Sequence, residues 1–145
     1  MEDKYQCLRL SNQLCFPLYA CSKEIVRRYK PHLDKIGLTY TQYITMMVLW
    51  EHETLNVKEL GQYLFLDSGT LTPVLKKLEK KGLLKRCRSD EDERVLIVSL
   101  TDEGRALQKD ALSVVEAMTG CMDLTMDEAK TLYEILYKVL SSIEL

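Results

Sequence analysis

The chain predicts a mainly α fold carrying one small β-hairpin. Three observations point that way. Apolar residues recur at spacings of three and four over most of the length, as they do on one face of a helix. Helix-start signatures of the form T-x-x-Q and N-x-x-E precede several of those runs. Only once does the period clearly shorten, in R-V-L-I-V-S-L at 94–100, which is rich in β-branched residues. With 145 residues and 46% apolar side chains, the chain suits a single domain with a real core.

Taken in order, residues 14–29 place Leu14, Leu18, Cys21, Ile25 and Tyr29 on one side of a first helix. Thr39 to Gln42 forms a capping box and opens a second helix through about Trp50. Asn56 to Glu59 is another, starting the short helix V-K-E-L-G-Q-Y-L. F-L-D-S-G-T then breaks the pattern and offers Asp67, Ser68 and Thr70 as caps. The fourth helix runs to about Lys81, with Leu71, Val74, Leu75 and Leu78 inward and Gly82 as its stop. Pro73 conflicts with a start at Asp67 or Ser68, because its ring would press on the carbonyl of Gly69. Either the first turn is irregular or Thr70 is the cap. Residues 83–88 and 94–100 read as two strands around the polar S-D-E-D-E, the turn type left open. Thr101 starts a long helix ending near Gly120, and Thr125 to Glu128 opens a last one with Ala129, Leu132, Leu136, Val139, Leu140 and Ile143 on one side.

Composition narrows the function. No stretch approaches the ~18 apolar residues of a membrane span, and M-E-D-K-Y-Q lacks a signal core, so a cytoplasmic protein is expected. Five cysteines without regular spacing argue against a disulfide framework, and His32 and His52 do not cluster with them, so no metal site is expected. The net charge of −2 hides an uneven distribution. Lys76 to Arg88 holds seven basic residues and one acid, Glu79, which is either a solvated face or a footprint for phosphates.

Its neighbours favour phosphates. A short helix, a tight turn, a basic helix and a hairpin are the parts of a winged helix-turn-helix, whose second helix enters the major groove. That helix offers Ser68, Thr70, Thr72, Pro73, Lys76, Lys77 and Lys80 on its polar side, with Asp67 at its head. Small hydroxyl side chains near its start suit base edges, and the lysines suit backbone charge. On the hairpin, Arg86 and Arg88 share a face of the first strand. Asp92 and Arg94 are placed to pair, holding the guanidinium outward toward a minor groove.

The run D-S-G-T-L-T-P-V-L-K-K-L-E-K-K-G-L-L-K-R, then R-S-D-E-D-E-R and S-L-T-D-E-G, closely resembles the MarR family of winged helix-turn-helix transcription regulators over almost the whole chain. L-C-F near the N-terminus narrows the likeness to the organic hydroperoxide repressor (OhrR) branch. The resemblance implies a single domain spanning 1–145. Dimerisation helices would lie at about 8–35 and 103–145, and the DNA-binding region at about 39–100. It implies a homodimer on a pseudo-palindromic operator of double-stranded DNA, with half-sites about one turn or ~10 bp apart. It also implies no cofactor, and a reactive cysteine at Cys15 that meets tyrosines contributed across the dimer, here Tyr19, Tyr29 and Tyr40. Phe16, Met46, Met47 and Trp50 are candidates for a pocket taking an organic hydroperoxide.

Pro17 bears on Cys15 directly. A proline is harmless in the first turn of a helix, so an unkinked first helix starts close to Leu14, with Cys15 near its first position. There the helix dipole favours an anion. A helix running from Ser11 and kinked at Pro17 would remove that argument. Oxidation to a sulfenic acid would then shift the two recognition helices and release DNA. Cys121 lies in the region where two-cysteine members carry a resolving thiol, though its spacing is not the same; Cys21 lies on another helical face, Cys7 could reach, Cys87 is remote, and a small-molecule thiol capping Cys15 would need none of them. Two rival readings remain: a regulator of the same family gated by a phenolic ligand, and a thiol peroxidase. The missing βαβ order and C-x-x-C count against the enzyme.

Overall fold

Five helices begin with a polar side chain that accepts the backbone N–H three residues on: Thr39, Asn56, Asp67, Thr101 and Thr125. Each meets one of the donors that a helix start otherwise leaves unpaired. The computed structural model describes residues 4–143. Residues 1–3 and 144–145, the ends of the expected domain and of its C-terminal dimerisation region, lie outside the described residues. Two short 3-10 turns, Gln6–Leu8 and Leu10–Asn12, lead into α1 (Cys15–Lys35) and α2 (Tyr40–His52). Then come β1 (Thr54–Asn56), α3 (Val57–Leu64), α4 (Ser68–Lys80), β2 (Leu84–Arg88), β3 (Leu96–Leu100), α5 (Asp102–Met118) and α6 (Met126–Ser142).

All three expected capping boxes are closed in both directions, at Thr39/Gln42, Asn56/Glu59 and Thr125/Glu128. α1 opens at Cys15, so Pro17 falls in its first turn and the kinked alternative is set aside. The helix continues through Pro31, where a backbone hydrogen bond is forfeited, to Lys35.

Three expectations need correction. Thr70 is not the cap of α4. Asp67 is, and Pro73 therefore lies inside the helix. The helix tolerates it because Pro73 and Gly69 are both on the exposed side, where solvent reaches the freed carbonyl. The expected hairpin is also only part of the sheet. β2 and β3 pair antiparallel from Leu84↔Leu100 to Arg88↔Leu96, but β1 adds a strand on the other side, from Thr54↔Ser99 to Asn56↔Ile97. The order β1-β3-β2 leaves β2 at an edge. Arg94 lies in the turn before β3, not in the strand.

The core joins α2, α3, α4, the sheet and α5 through Met46, Leu49, Leu60, Leu71, Leu75, Leu78, Leu84, Val98 and Val114. α4 is stopped just past its end by Gly82, whose φ of +76° only glycine adopts cheaply. Leu83 N–H closes back on Leu78 carbonyl at 3.1 Å, and Gly82 N–H on Glu79 carbonyl at 2.9 Å. Where the wing returns to α5, Thr101 Oγ1 donates to Gly82 carbonyl at 2.6 Å and Trp50 Nε1 donates to Gly104 carbonyl at 2.8 Å. A Cβ at Gly104 would stand 2.0 Å from the Leu83 carbonyl oxygen, so a glycine is needed for α5 to lie this close to the wing.

Candidate functional site

Burial of Leu71, Leu75 and Leu78 turns the opposite face of α4 outward, exposing Ser68, Thr70, Pro73, Lys76, Lys77 and Lys80. The hydroxyls there differ in how free they are. Thr70 donates through its N–H at 2.8 Å and its Oγ1 at 2.9 Å to the two Asp67 oxygens, so Asp67 and Thr70 serve the helix first. Those bonds, that from the Thr70 backbone leading, hold the Asp67 carboxyl below its ordinary range. Thr72 is half-buried and its hydroxyl donates to the Ser68 carbonyl at 2.7 Å. Lys81 reaches across to the Gly37 carbonyl and to Gln42 Oε1, pinning the end of α4 to the turn between α1 and α2.

On the wing, Asp92 Oδ1 accepts both the Arg94 N–H at 3.0 Å and its Nε at 3.2 Å. The Arg94 side chain is 91% exposed, so the expected brace holds it outward by its inner edge. Arg88 is also exposed. Arg86 is not placed as expected. Its guanidinium turns onto Glu79 of α4, with Nε at 3.0 Å and Nη2 at 2.8 Å from Oε2.

Cys15 and Tyr19 lie at the start of α1, whereas Tyr29 lies further along it and Tyr40 opens α2. Cys15 is exposed at the first helical position, with exposed Tyr19 one turn on and Lys23 Nζ 5.8 Å from the Tyr19 ring. Tyr29 lies fourteen residues beyond Cys15 in the same helix, about 21 Å at the helical rise. Tyr29 packs on Tyr40 and Tyr43, ring centroids 5.0 and 5.9 Å away. Burial pushes the pKa of all three hydroxyls above the usual tyrosine value, and Tyr40, Tyr43 and Cys121 add to the effect on Tyr29. They stay protonated at neutral pH, as a donor to an anion must. Tyr43 was missed in the sequence, although it follows Tyr40 at helical spacing. Cys121 lies at this end: its carbonyl accepts a hydrogen bond from Arg28 Nη1, one residue before Tyr29. One protomer thus brings Cys121 to Tyr29 but not to Cys15. Of the residues expected to line a pocket, Met47 and Trp50 do so, in a cavity of ≈ 270 Å³ between α2 and α5 with Tyr43, Ala111, Leu112 and Val115. Met46 is fully buried core, and Phe16 lies in the first turn of α1.

A large apolar surface is open in the protomer. α6 buries none of its residues, and Leu132, Tyr133, Ile135, Tyr137 and Val139 are exposed along it. Leu14 and Leu18 at the start of α1 and Leu112 and Val115 on α5 are exposed as well. A patch of this kind marks an interface.

Comparison with known proteins decides the family. Residues 27–111 match the family described as transcriptional regulator SarA/Rot. The chain belongs to this family of MarR-type winged-helix regulators. Over 143 residues it is 47% identical to the organic hydroperoxide resistance transcriptional regulator of Bacillus subtilis, covering 99% of this chain and 97% of that protein. Two solved structures of AbfR, a Staphylococcus epidermidis protein, are 40% identical to it. The overoxidised form bound to DNA covers 96% of this chain and 98% of its own, with a TM-score of 0.78. The disulfide form covers 96% and 94%, with a TM-score of 0.63. The regulator's described residues contain no helix long and apolar enough to cross a membrane.

Proposed function

We propose that this regulator is a thiol-based redox sensor, a homodimer that holds double-stranded operator DNA and releases it when an organic hydroperoxide oxidises Cys15. It acts in the cytoplasm, where its DNA is, and is not an enzyme. The observation that carries the reading is Cys15 itself, exposed at the positive end of the α1 dipole in a chain that aligns end to end with an organic hydroperoxide resistance regulator. AbfR, solved in overoxidised, reduced and disulfide forms, adds support for chemistry at sulfur.

The chemistry is a two-electron transfer. The sulfur lone pair of Cys15 takes the distal peroxide oxygen and the O–O bond breaks. The organic fragment leaves as alkoxide and is protonated to the alcohol, while sulfur becomes a sulfenic acid. Tyr29 and Tyr40, far from Cys15 along their own chain, serve as donors to the partner subunit's sulfur. Tyr19 lies beside Cys15. Gaining oxygen there displaces the packed rings and rotates the two DNA-reading units. Each α4 has to stay in register with its half-site, so a small rotation lowers affinity, and a 99:1 reversal needs about 5.5 kcal/mol of bias. α4 reads the major groove through Ser68, Thr70, Thr72 and Pro73, with Asp67 fixing its start. Lys76 and Lys77 meet phosphates, and Arg88 and the braced Arg94 hold the wing on the backbone and minor groove. A thiolate from Cys121 would have to come from the partner to resolve the sulfenic acid.

Replacing Cys15 by serine tests this. The variant is expected to bind its operator like the wild type and to ignore cumene hydroperoxide in a gel-shift titration. The apolar cavity at Met47 and Trp50 favours one other reading, gating by a phenolic ligand. A wild type released by a phenol with Cys15 unmodified in its mass spectrum, a response the Cys15→Ser variant keeps, would replace the sensor with that second reading, and a variant still released by peroxide would move the reactive group off Cys15.

A further inference from the structure

Glu79 is the one acid within the basic run from Lys76 to Arg88. On a helix that meets phosphates, simple charge arithmetic makes it unfavourable. Its contacts explain why it is there. Oε1 accepts the backbone N–H of Arg86 at 3.0 Å, while Oε2 accepts Nε at 3.0 Å and Nη2 at 2.8 Å from the same residue. β2 is an edge strand, so the Arg86 N–H points to the open side of the sheet and Glu79 closes it. Three bonds therefore tie the last turn of α4 to the middle of β2. The Arg86 side chain is 20% exposed, against 91% for Arg94 on the same wing, so only the latter presents its guanidinium to a ligand. The hydrogen bonds from Arg86 hold the Glu79 carboxyl below its usual range, so the clamp stays charged at neutral pH.

We propose that Glu79 and Arg86 are positioning residues for operator recognition, a clamp that sets the angle between the recognition helix and the wing. This rests on the DNA-binding reading above. Base reading by α4 and groove insertion by Arg94 are two contacts of one rigid body. Fixing their relative geometry beforehand makes the second effectively intramolecular once the first is made. Arg86 then contributes to affinity without touching DNA. The acid contributes too, although its charge repels phosphate.

The test uses the full-length dimer and a duplex selected by the wild type from a random pool, with dissociation constants measured over a series of salt concentrations. Glu79→Ala removes a negative charge, yet it is expected to weaken binding roughly tenfold. Arg86→Ala should weaken it similarly and leave the salt slope unchanged, whereas Arg94→Ala should reduce that slope by about one. The double variant should bind no worse than either single one, because both remove the same link. Arg86→Lys keeps the charge and loses the fork, so it should behave as Arg86→Ala does. Should Glu79→Ala fail to melt cooperatively, Glu79→Gln decides instead, its binding expected to be weaker than the wild type's. Unchanged or tighter binding by a folded Glu79 variant overturns the clamp alone, as does a slope reduced by about one in Arg86→Ala. A wild type that selects no duplex overturns the regulator reading and the clamp with it.

Discussion

Gly104 shows how one missing side chain holds several parts together. Its N–H is taken by the Thr101 hydroxyl at 3.0 Å and its carbonyl by Trp50, so α5 cannot slide to make room. A methyl group would meet the Leu83 carbonyl oxygen at 2.0 Å and Leu100 Cδ1 at 2.9 Å. Gly104→Ala is expected to lower stability by about 3 kcal/mol, seen as an earlier denaturant midpoint at unchanged slope. Gly82→Ala tests a different physical cause. Nothing lies within 4 Å of its would-be Cβ, and only the positive φ resists, so its cost should be about 1–2 kcal/mol. A Gly104 variant as stable as the Gly82 one would show that the wing and α5 can separate freely.

Among the elements, α4 is where stability and pH meet. Asp67 accepts two hydrogen bonds at its head, so its carboxyl ionises below the ordinary 3.8 in the folded chain. A depressed folded-state value means that this contribution is complete above the unfolded value and is lost as pH falls through the folded one. Asp67→Asn should therefore flatten the fall of melting temperature below about pH 4 and leave its shape near neutrality alone. An acid limb identical to the wild type's would remove Asp67 as its source. The elements also differ in how legible they were. The capping boxes at Thr39, Asn56 and Thr125 could be read because the two partners are three residues apart and both types are chemically specific. The Asp92–Arg94 brace was legible because its partners are two residues apart and opposite in charge. β1 was not, because three residues carry no period and the strand exists only through pairing with β3. Pro73 made the start of α4 ambiguous, since local rules do not say that its neighbouring carbonyl faces solvent. The turn of Arg86 toward Glu79 depends on the path of the chain around Gly82, so strand alternation alone placed that guanidinium outside.

For the whole molecule, the protomer is well packed around its winged unit and leaves an apolar face uncovered on α6. The core runs from the winged unit into α5, while no residue of α6 is fully buried. Each large apolar side chain that a partner covers stabilises the pair by roughly 1.5–3 kcal/mol. Ile135→Glu should split the dimer in sedimentation experiments and abolish tight operator binding, with the hydrogen-exchange protection of α2, α3 and α4 retained. A dimer that survives this change would move the interface off α6.

The length of α1 separates the sulfur from the aromatic cluster by about 21 Å, at the rise of a straight helix from Cys15 to Tyr29. If each detector is assembled from both chains, two defective subunits can complement one another. A heterodimer pairing a Cys15→Ser chain with a Tyr29→Phe, Tyr40→Phe chain would own one wholly normal detector and one doubly crippled one. Both parental homodimers would be unresponsive, while their hybrid should regain sensitivity to peroxide at one of its two sites. Were sulfur and rings wired within each chain, the hybrid would stay as deaf as its parents.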